Sequence, residues 1–386
     1  MPITPTIAKN FRWATTPIAT TDGKYAPMSS VNQRPFRVGL MGLGHVARYA
    51  HVPAIASSSD LKLAAIYEPI AKVDPGALDL SGDVSVCSDE QQFFAQNLDA
   101  IVVTSPAPYH ADNIRSAMRH NLPILCEKPL ADKAEDADRI VTEVQSKDHP
   151  LYIAYCYRFS SVAQRMRELI QRGAIGEVKL LRLVYNWDLH GMYVDRDADA
   201  GQIDSRWHGR MIEGGPMVDC GVHQIDLAQW WTDSPVVHVG GHGVWGVDYE
   251  APSHVWGHLD HANGLHTCVE MSCTFGHTCQ TRERDFRYEA MGTEGVIVFD
   301  AVAERFEWKH THGEEVLPLA NEKNFVGMYD AFALALRTGQ HGDLCSAQQG
   351  FENTRIAWEI LAHAHQHRLS RTDAPSENRP DLTSVK

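Results

Sequence analysis

Three side chains of this 386-residue chain have types and positions suited to moving a proton on a small molecule: Lys128, Asp219 and His223. Lys128 follows the apolar run 122–126, which predicts a short buried strand of a parallel sheet. Ligands of open α/β sheets bind outside the carboxyl ends of such strands. Burying an ammonium group costs several kcal/mol without partners, so a lysine there suggests a functional role. The alternative is a solvated lysine at a strand end.

Asp219 and His223 are four residues apart, which on an α-helix would place them on one face and within reach of each other. A carboxylate that touches one imidazole nitrogen fixes the tautomer and supports a positive charge on the ring. An unperturbed histidine has a pKa of about 6.5, close to the optimum for a general base near neutrality. The alternative is a helix-capping aspartate with an incidental histidine. The sequence leaves open whether Lys128 or His223 accepts the proton.

A glycine-rich turn near residue 42 predicts a dinucleotide site. The turn has the pattern G-x-G-x-x-A and follows an apolar strand at 36–41. Such a turn brings a pyrophosphate close to the backbone and to the N-terminus of the next helix, although glycine turns also serve ordinary loops. Its residues are Gly42, Leu43, Gly44, His45, Val46 and Ala47.

The elements after this turn complete the frame. A second predicted strand, 61–67, ends at Glu68, which is placed to bind the ribose hydroxyls and to repel a 2′-phosphate, so NAD is favoured over NADP. A later strand, 99–104, ends at Ser105 and Pro106, and His110 begins the next predicted helix. Together these segments predict a doubly wound parallel sheet.

Four blocks of the sequence, in this order and spacing, resemble the Gfo/Idh/MocA family of oxidoreductases, from about residue 36 to about residue 362. They are the turn 42–47, the segment 105–110, the tripeptide 127–129 and the segment 214–226. The resemblance implies a Rossmann domain followed by an α/β domain with a large, mostly antiparallel open sheet, one face of which commonly makes the oligomer contact. Independently of the resemblance, Asn263-Gly264 between two strand-like runs predicts a hairpin, as does 292–295.

The resemblance also implies roles for single residues. His223 would be the acid/base, Lys128 would bond to and polarise the reacting oxygen, and Asp219 would orient. The implied cofactor-binding residues are Gly42, Leu43, Gly44, His45, Val46, Glu68, Ser105, Pro106, His110, Glu127, Lys128 and Arg158. The implied substrate-binding residues are Lys128, Arg158, Trp187, Trp207, Asp219 and His223. A structural salt bridge is an equal alternative for Arg158, and ordinary packing is one for both tryptophans.

Composition limits the partners. A formal net charge of −14 argues against nucleic acid and anionic membrane partners, and no stretch approaches the 18 or more apolar residues of a membrane span. Eight cysteines without a disulfide-like framework favour reduced thiols in the cytoplasm. No paired cysteine spacing favours a metal. We expect an N-terminal extension or arm at 1–34 without a signal peptide, a dinucleotide-binding domain at 35–155, a substrate-binding and oligomerisation domain at 156–367 and a polar tail at 368–386.

The leading hypothesis is an NAD-dependent dehydrogenase that oxidises, or reversibly forms, a secondary hydroxyl of a sugar, sugar derivative or cyclitol. We expect it to be a homo-oligomer, a dimer or a tetramer. One alternative is an NAD-dependent glycosidase on the same fold, which usually has a Tyr-Pro-Thr-His-like run where this chain has 218–223. The other is a non-catalytic regulator that senses sugars or nucleotides. Such relatives tend to lose the lysine or the histidine, and both are present here.

Overall fold

The computed structural model describes residues 34–70, 84–188, 211–246, 249–276, 279, 281 and 283–368. The first sheet is built from six parallel strands in the N-terminal part of the chain. They are β1 (Phe36–Met41), β2 (Leu61–Tyr67), β3 (Ser85–Cys87), β4 (Ala100–Val103), β5 (Ile124–Cys126) and β6 (Leu151–Ile153). β1 and β2 have the predicted bounds. The spatial order is 3-2-1-4-5-6, the classic order of a dinucleotide-binding domain.

Helices connect these strands across both faces of the sheet. They are α1 (Val52–Ser57), α2 (Glu90–Phe94), α3 (His110–Arg119) and α4 (Ala134–Ser146), and α5 (Ser161–Gln171) leads into the second part. α3 begins at His110, as the sequence predicts. The apolar side chains of the strands are almost fully buried on both faces, as expected when helices cover both sides of a parallel sheet. The predicted fold class is confirmed for this domain.

The second sheet has eight strands, in the order β14-β13-β12-β11-β7-β10-β9-β8. They are β7 (Val178–Asn186), β8 (Val236–Val244), β9 (His254–His261), β10 (His266–Ser272), β11 (Asp285–Gly292), β12 (Gly295–Asp300), β13 (Arg305–His310) and β14 (Gly313–Val316). All neighbours are antiparallel except β7 and β10. Both predicted hairpins are confirmed, because β9 pairs with β10 and β11 pairs with β12.

The last part of the chain returns to the first sheet. The remaining helices are α6 (Val222–Thr232), α7 (Phe325–Thr338) and α8 (Ala347–Gln366), and β15 (Cys345–Ser346) lies just before α8. β15 pairs antiparallel with β6, and the buried side of α7 packs in one cluster with β1. Residues 325–346, which the sequence assigns to the second domain, therefore help to build the first. Pairing and packing across such a separation leave no local signal in the sequence.

The described residues include neither a membrane-spanning helix nor a metal-binding cluster. None of the helices described is long and apolar enough to span a bilayer. In the same ranges, no three His, Cys, Asp or Glu side chains are arranged to hold a metal ion. The predicted arm at 1–34 and tail at 368–386 lie almost wholly outside the described residues.

Candidate active site

The glycine turn lies at the switch point between β1 and β4, where the strand order reverses. Gly42 has a φ of +95°, and a Cβ there would lie 2.6 Å from the Cα of Ser105. The Thr104 hydroxyl donates to the carbonyl oxygen of Gly42 at 2.6 Å and ties the two strand ends together. A Cβ on Gly44 would meet no atom within 4 Å. The turn is thus packed against Ser105 at Gly42 and open to solvent space at Gly44. This openness fits the close approach of a pyrophosphate.

Glu68 lies beside this turn, as predicted for a ribose ligand. Its Oε2 accepts a hydrogen bond from the backbone N–H of Leu43 at 2.9 Å, and its Oε1 accepts one from that of Ile70 at 3.1 Å. These bonds fix the carboxylate at the carboxyl end of β2 while leaving it partly exposed. A carboxylate in this place fits the ribose hydroxyls of NAD and opposes a 2′-phosphate.

A π-helical turn, Ala47–His51, follows the predicted cofactor residues His45 and Val46. It precedes α1 and turns His51 toward the interior of the protein. The His51 ring bonds to Glu127 Oε1 at 2.8 Å and to the Tyr329 hydroxyl at 2.7 Å. The sequence does not predict this buried network of His51, Glu127 and Tyr329. The segment 46–56 has the pattern of an ordinary helix, and the partners of His51 are distant in the sequence.

Glu127 positions its neighbours in this structure, and its contact with the cofactor stays a prediction. Its Oε1 bonds to His51, and its Oε2 accepts a hydrogen bond from the backbone N–H of Lys128 at 3.1 Å. Burial by itself raises the pKa of Glu127, but the hydrogen bond and charge of His51 outweigh it and the pKa is lowered. The buried carboxylate therefore stays ionised and holds the backbone of Lys128 in place.

His110 lies between two backbone carbonyl oxygens. Its Nδ1 lies 3.0 Å from the carbonyl oxygen of Pro129, and its Nε2 lies 2.9 Å from that of Ser105. A neutral imidazole donates from one nitrogen only, and the contact of His110 with the cofactor stays a prediction. The buried ring connects the loop after β4 to the loop after β5. Ser105 is partly exposed and Pro106 is exposed at this sheet edge, where the prediction of a cofactor contact stays open.

Lys128 and Asp219 meet across the two parts of the molecule. The lysine Nζ lies 3.2 Å from Asp219 Oδ1 and also donates to the backbone carbonyl oxygen of Asp219. Their side chains are 14% and 19% exposed, so the pair is mostly buried but still reaches solvent. Burial by itself lowers the pKa of Lys128, but the acidic groups around it, Asp219 foremost, together outweigh burial and the pKa is raised. Lys128 is therefore a stable proton donor near neutral pH.

His223 lies on α6, almost fully buried, with Tyr155 and Tyr157 edge-on to its ring at 5.6 and 5.1 Å between centroids. Neither ring nitrogen has a hydrogen-bond partner among the described residues. Burial lowers the pKa of His223 well below its ordinary value, and the charges of Lys128 and Lys323 lower it further. The imidazole is thus neutral near pH 7. Buried nitrogens without partners are rare in folded proteins, and here they are available to a ligand.

The predicted hydrogen bond between Asp219 and His223 is wrong. Asp219 lies in a π-helical turn, Met217–Gly221, whereas His223 lies on the α-helix that follows it. The π turn is wider than an α turn, so the spacing of four residues does not bring the carboxylate to the ring. Asp219 instead pairs with Lys128. Its charge acts on His223 through space and partly offsets the lowering of the His223 pKa.

Arg158 forms a buried structural salt bridge, the alternative that the sequence left open, and its contacts with cofactor and substrate stay a prediction. Its Nε and Nη2 bond to the two carboxylate oxygens of Asp226 at 2.7 and 2.6 Å. Its Nη1 donates to the carbonyl oxygen of Asp343 and to Oε1 of Gln349 at 3.2 and 3.3 Å. The salt bridge is thus present, and its partner belongs to the same family block as His223.

Of the two tryptophans predicted to bind substrate, the structure describes Trp187 but not Trp207. Trp187 follows β7 and stacks on Tyr185, with 5.5 Å between the ring centroids and 13° between the planes. Its indole nitrogen is buried and has no hydrogen-bond partner, so a polar ligand atom could satisfy it. Its role in substrate binding stays a prediction. Trp207 lies outside the described residues, so its predicted role is not addressed.

The structure adds Lys323 to the candidate site. This lysine lies in the segment between β14 and α7, and its ammonium lies 5.7 Å from the centroid of the Tyr157 ring. Its charge lowers the pKa values of both Glu127 and His223. No motif surrounds Lys323 in the sequence. It was missed because its place depends on the return of the chain to the first sheet.

Two family models match the two sheet-containing parts of the chain. Residues 36–155 match the model described as "Oxidoreductase family, NAD-binding Rossmann fold", and residues 163–298 match the GFO/IDH/MocA C-terminal domain. The two models together match more than half of the chain. The chain belongs to the Gfo/Idh/MocA family. Its N-terminal domain is therefore an NAD-binding Rossmann domain of an oxidoreductase family, as the sequence predicts.

Curated relatives in this family include sugar and cyclitol enzymes. The rhizopine catabolism protein MocA of Rhizobium meliloti is 30% identical over 199 residues, which are 51% of this chain and 57% of that protein. The D-glucoside 3-dehydrogenase of Escherichia coli is 26% identical over 54% of this chain and 57% of its own length. An inositol 2-dehydrogenase of Corynebacterium glutamicum is 30% identical over 53% and 57%. The chain thus spans about half the length of the curated relatives it matches.

Solved structures share the fold over a longer range. An inositol dehydrogenase homologue from Azotobacter vinelandii, complexed with NAD⁺, has a TM-score of 0.71 at 16% identity and covers 87% of this chain and 97% of its own. The WlbA dehydrogenase of Bordetella pertussis, in complex with NADH and UDP-GlcNAcA, has a TM-score of 0.70 at 22% identity with the same coverage. At such identities the likeness shows the fold alone.

Proposed function

We propose that the protein is an NAD-dependent dehydrogenase that oxidises, or reversibly forms, a secondary hydroxyl of a sugar, sugar derivative or cyclitol. The observation that carries the proposal is the convergence of Lys128, Asp219 and His223 at the cofactor edge of the Rossmann sheet. Lys128 and Asp219 are in direct contact, and the charges of both act on His223. The named relatives that act on glucosides and inositols support the substrate class.

The protonation states assign complementary roles to the two catalytic groups. The neutral His223 ring has a nitrogen lone pair that can accept the hydroxyl proton as the carbon–hydrogen bond breaks. Lys128, kept protonated by Asp219, donates a hydrogen bond to the same oxygen and stabilises its developing negative charge. NAD, when bound, supplies the acceptor for the hydride. In the reverse direction, His223 returns the proton to the oxygen, while Lys128 polarises the carbonyl group.

The cofactor residues support NAD over NADP. The turn 42–47 would hold the pyrophosphate, and Glu68 would accept hydrogen bonds from the ribose hydroxyls. The Glu68 carboxylate is fixed by two backbone N–H groups, so it cannot easily swing away from an added phosphate. A 2′-phosphate would meet this fixed negative charge at short range.

The test is to incubate the protein with NAD and a panel of sugars, sugar acids and cyclitols while NADH absorbance is followed. We expect NADH to form with at least one compound and to disappear when the matching ketone is added. Wild-type protein is compared with Lys128→Ala and His223→Ala, each checked for NADH binding. Release of a glycoside's aglycone without net NADH formation would instead show glycosidase chemistry. Cofactor binding without any turnover would point to a regulator.

We also propose that the protein forms a homo-oligomer through the outer face of the second sheet. The inner face of this sheet packs against the core that includes α5 and α6, while outer-face side chains such as Trp256, His258 and His266 are partly or fully exposed. A dimer or tetramer would cover them. Light scattering that gives a monomer mass at micromolar concentration would contradict this proposal. Eight cysteines without a disulfide support a cytoplasmic location.

A further inference from the structure

Lys323 is a cation of the site that the reaction scheme above does not use. It lies two residues before α7, where Asn324 caps the helix and also donates to the carbonyl oxygen of Phe159 at 2.9 Å. The backbone of Lys323 is held as well, because its carbonyl oxygen accepts a hydrogen bond from Phe325 at 3.0 Å. The ammonium is therefore presented from a fixed segment rather than from a mobile loop.

Within the described part of the chain, the Lys323 ammonium contacts the face of the Tyr157 ring and makes no hydrogen bond or ion pair. Other described lysines differ from it. Lys128 is paired with Asp219, and Lys309 forms salt bridges on the exposed surface of β13. Lys323 is partly buried, and its N–H donors have no acceptor among the residues that the structure describes. Such an arrangement costs free energy that a bound anion would recover.

The carboxylates of the candidate site do not pair with Lys323. Glu127 is already engaged by His51 and by the backbone of Lys128, and it forms no ion pair with Lys323. Asp219 is held by Lys128. Among the described residues, the site therefore retains a cation without a bonded anion, and the neutral His223 nitrogens also lack partners there.

Lys323 and His223 both lie against the Tyr157 ring. The Lys323 ammonium lies 5.7 Å from the Tyr157 centroid, and that ring lies 5.1 Å from the imidazole, so the ammonium and the imidazole are at most about 11 Å apart. A small ligand that carries both a hydroxyl and an anionic group can therefore contact both.

We propose that Lys323 binds the carboxylate of the substrate, and that the substrate is a sugar acid or other carboxylated polyol oxidised at a hydroxyl beside Lys128 and His223. The proposal rests on the dehydrogenase function proposed above. The Tyr157 ring steadies the ammonium on one side through a cation–π contact. The substrate carboxylate accepts charge-assisted hydrogen bonds from its N–H groups. Lys323 is thus a specificity residue for the acid over its neutral counterpart.

The test compares matched pairs of compounds. D-glucuronate, D-galacturonate and D-gluconate are titrated into the NADH-loaded protein beside D-glucose, D-galactose and D-glucitol, and the same compounds are assayed with NAD. We expect at least one acid to bind roughly 10- to 100-fold more tightly than its neutral partner, the range for a hydrogen bond to a charged group. Lys323→Met should reduce this preference to near one, and Lys323→Arg should retain most of it.

The matched control is Lys309→Met, which removes an exposed lysine and should leave every ratio unchanged. Lys323→Gln replaces Lys323→Met if the latter does not fold. The proposal is overturned if no acid is preferred, or if the preference survives Lys323→Met. It is also overturned if the substitution weakens NADH binding tenfold and leaves the substrate ratio intact, because Lys323 would then hold a cofactor phosphate. Acid binding that depends on Lys323 without NADH formation would refute only the dehydrogenase function.

Discussion

The ion pair between Lys128 and Asp219 gives a sharp prediction for the pH profile of the reaction. Asp219→Asn keeps the size of the side chain and its Oδ1 acceptor but removes the negative charge 3.2 Å from the lysine Nζ. At that distance the attraction is worth about 1.3 kcal/mol with the dielectric constant of water and about 5 kcal/mol at an effective value of about 20. Loss of this attraction destabilises the charged form of the lysine, so the pKa of Lys128 should fall.

The sign follows from the direction of the shift. Asp219 raises the pKa of Lys128, so its loss lets the lysine deprotonate at lower pH. The alkaline limb of the kcat profile should then move down toward neutrality. Asp219 also raises the pKa of His223, so the acid limb should move down as well, by a smaller amount because no hydrogen bond joins the two groups. Both limbs report on the coupled cluster rather than on one isolated group.

The assay is the pH dependence of kcat at saturating substrate and NAD, measured for wild type, Asp219→Asn and a control. The control is Asp233→Asn, which removes an exposed carboxylate at the C-terminal end of α6. Its profile should match that of the wild type. An alkaline limb that stays in place in Asp219→Asn would refute the assignment of Lys128 as the protonated donor. A limb that moves upward would show that the charge of Asp219 does not stabilise the ammonium.

Three further predictions test other parts of the site and fold. Lys128→Ala and His223→Ala should each lower kcat by roughly 10²–10⁴-fold without weakening NAD binding. The double variant should lose much less activity than the product of the two single losses. Near-normal kcat in His223→Ala would make Lys128 the sole acid/base. Glu68→Ser should raise kcat/KM with NADP relative to NAD, and a wild type that uses both equally would contradict the role of Glu68. Arg158→Met should lower the free energy of unfolding by roughly 3–5 kcal/mol, measured by denaturant titration, because it leaves Asp226 buried without its cation.

Much of the fold could be predicted because its signals are local. The strands at 36–41 and 61–67 are short apolar runs bounded by turns, and the glycine turn needs a positive φ that glycine supplies at Gly42. The hairpin at Asn263-Gly264 depends on two residues and the alternation beside them. Lys128 follows a strand directly, so its place at the sheet edge follows from the strand itself. The position of Glu68 could be predicted in the same way, because it directly follows the strand 61–67.

The partners of charged side chains were decided only by the tertiary structure. Arg158 bonds to Asp226, 68 residues away, and Glu127 bonds to His51, 76 residues away. The carboxylate that pairs with a buried cation depends on how helices and sheets pack. A buried charge without a partner of opposite charge is costly, so the pairs form between groups that packing brings together. Lys323 has no motif and enters the site only because the chain returns to the first sheet. The sequence thus determined the cofactor frame and the catalytic residue types, while packing determined which of them touch.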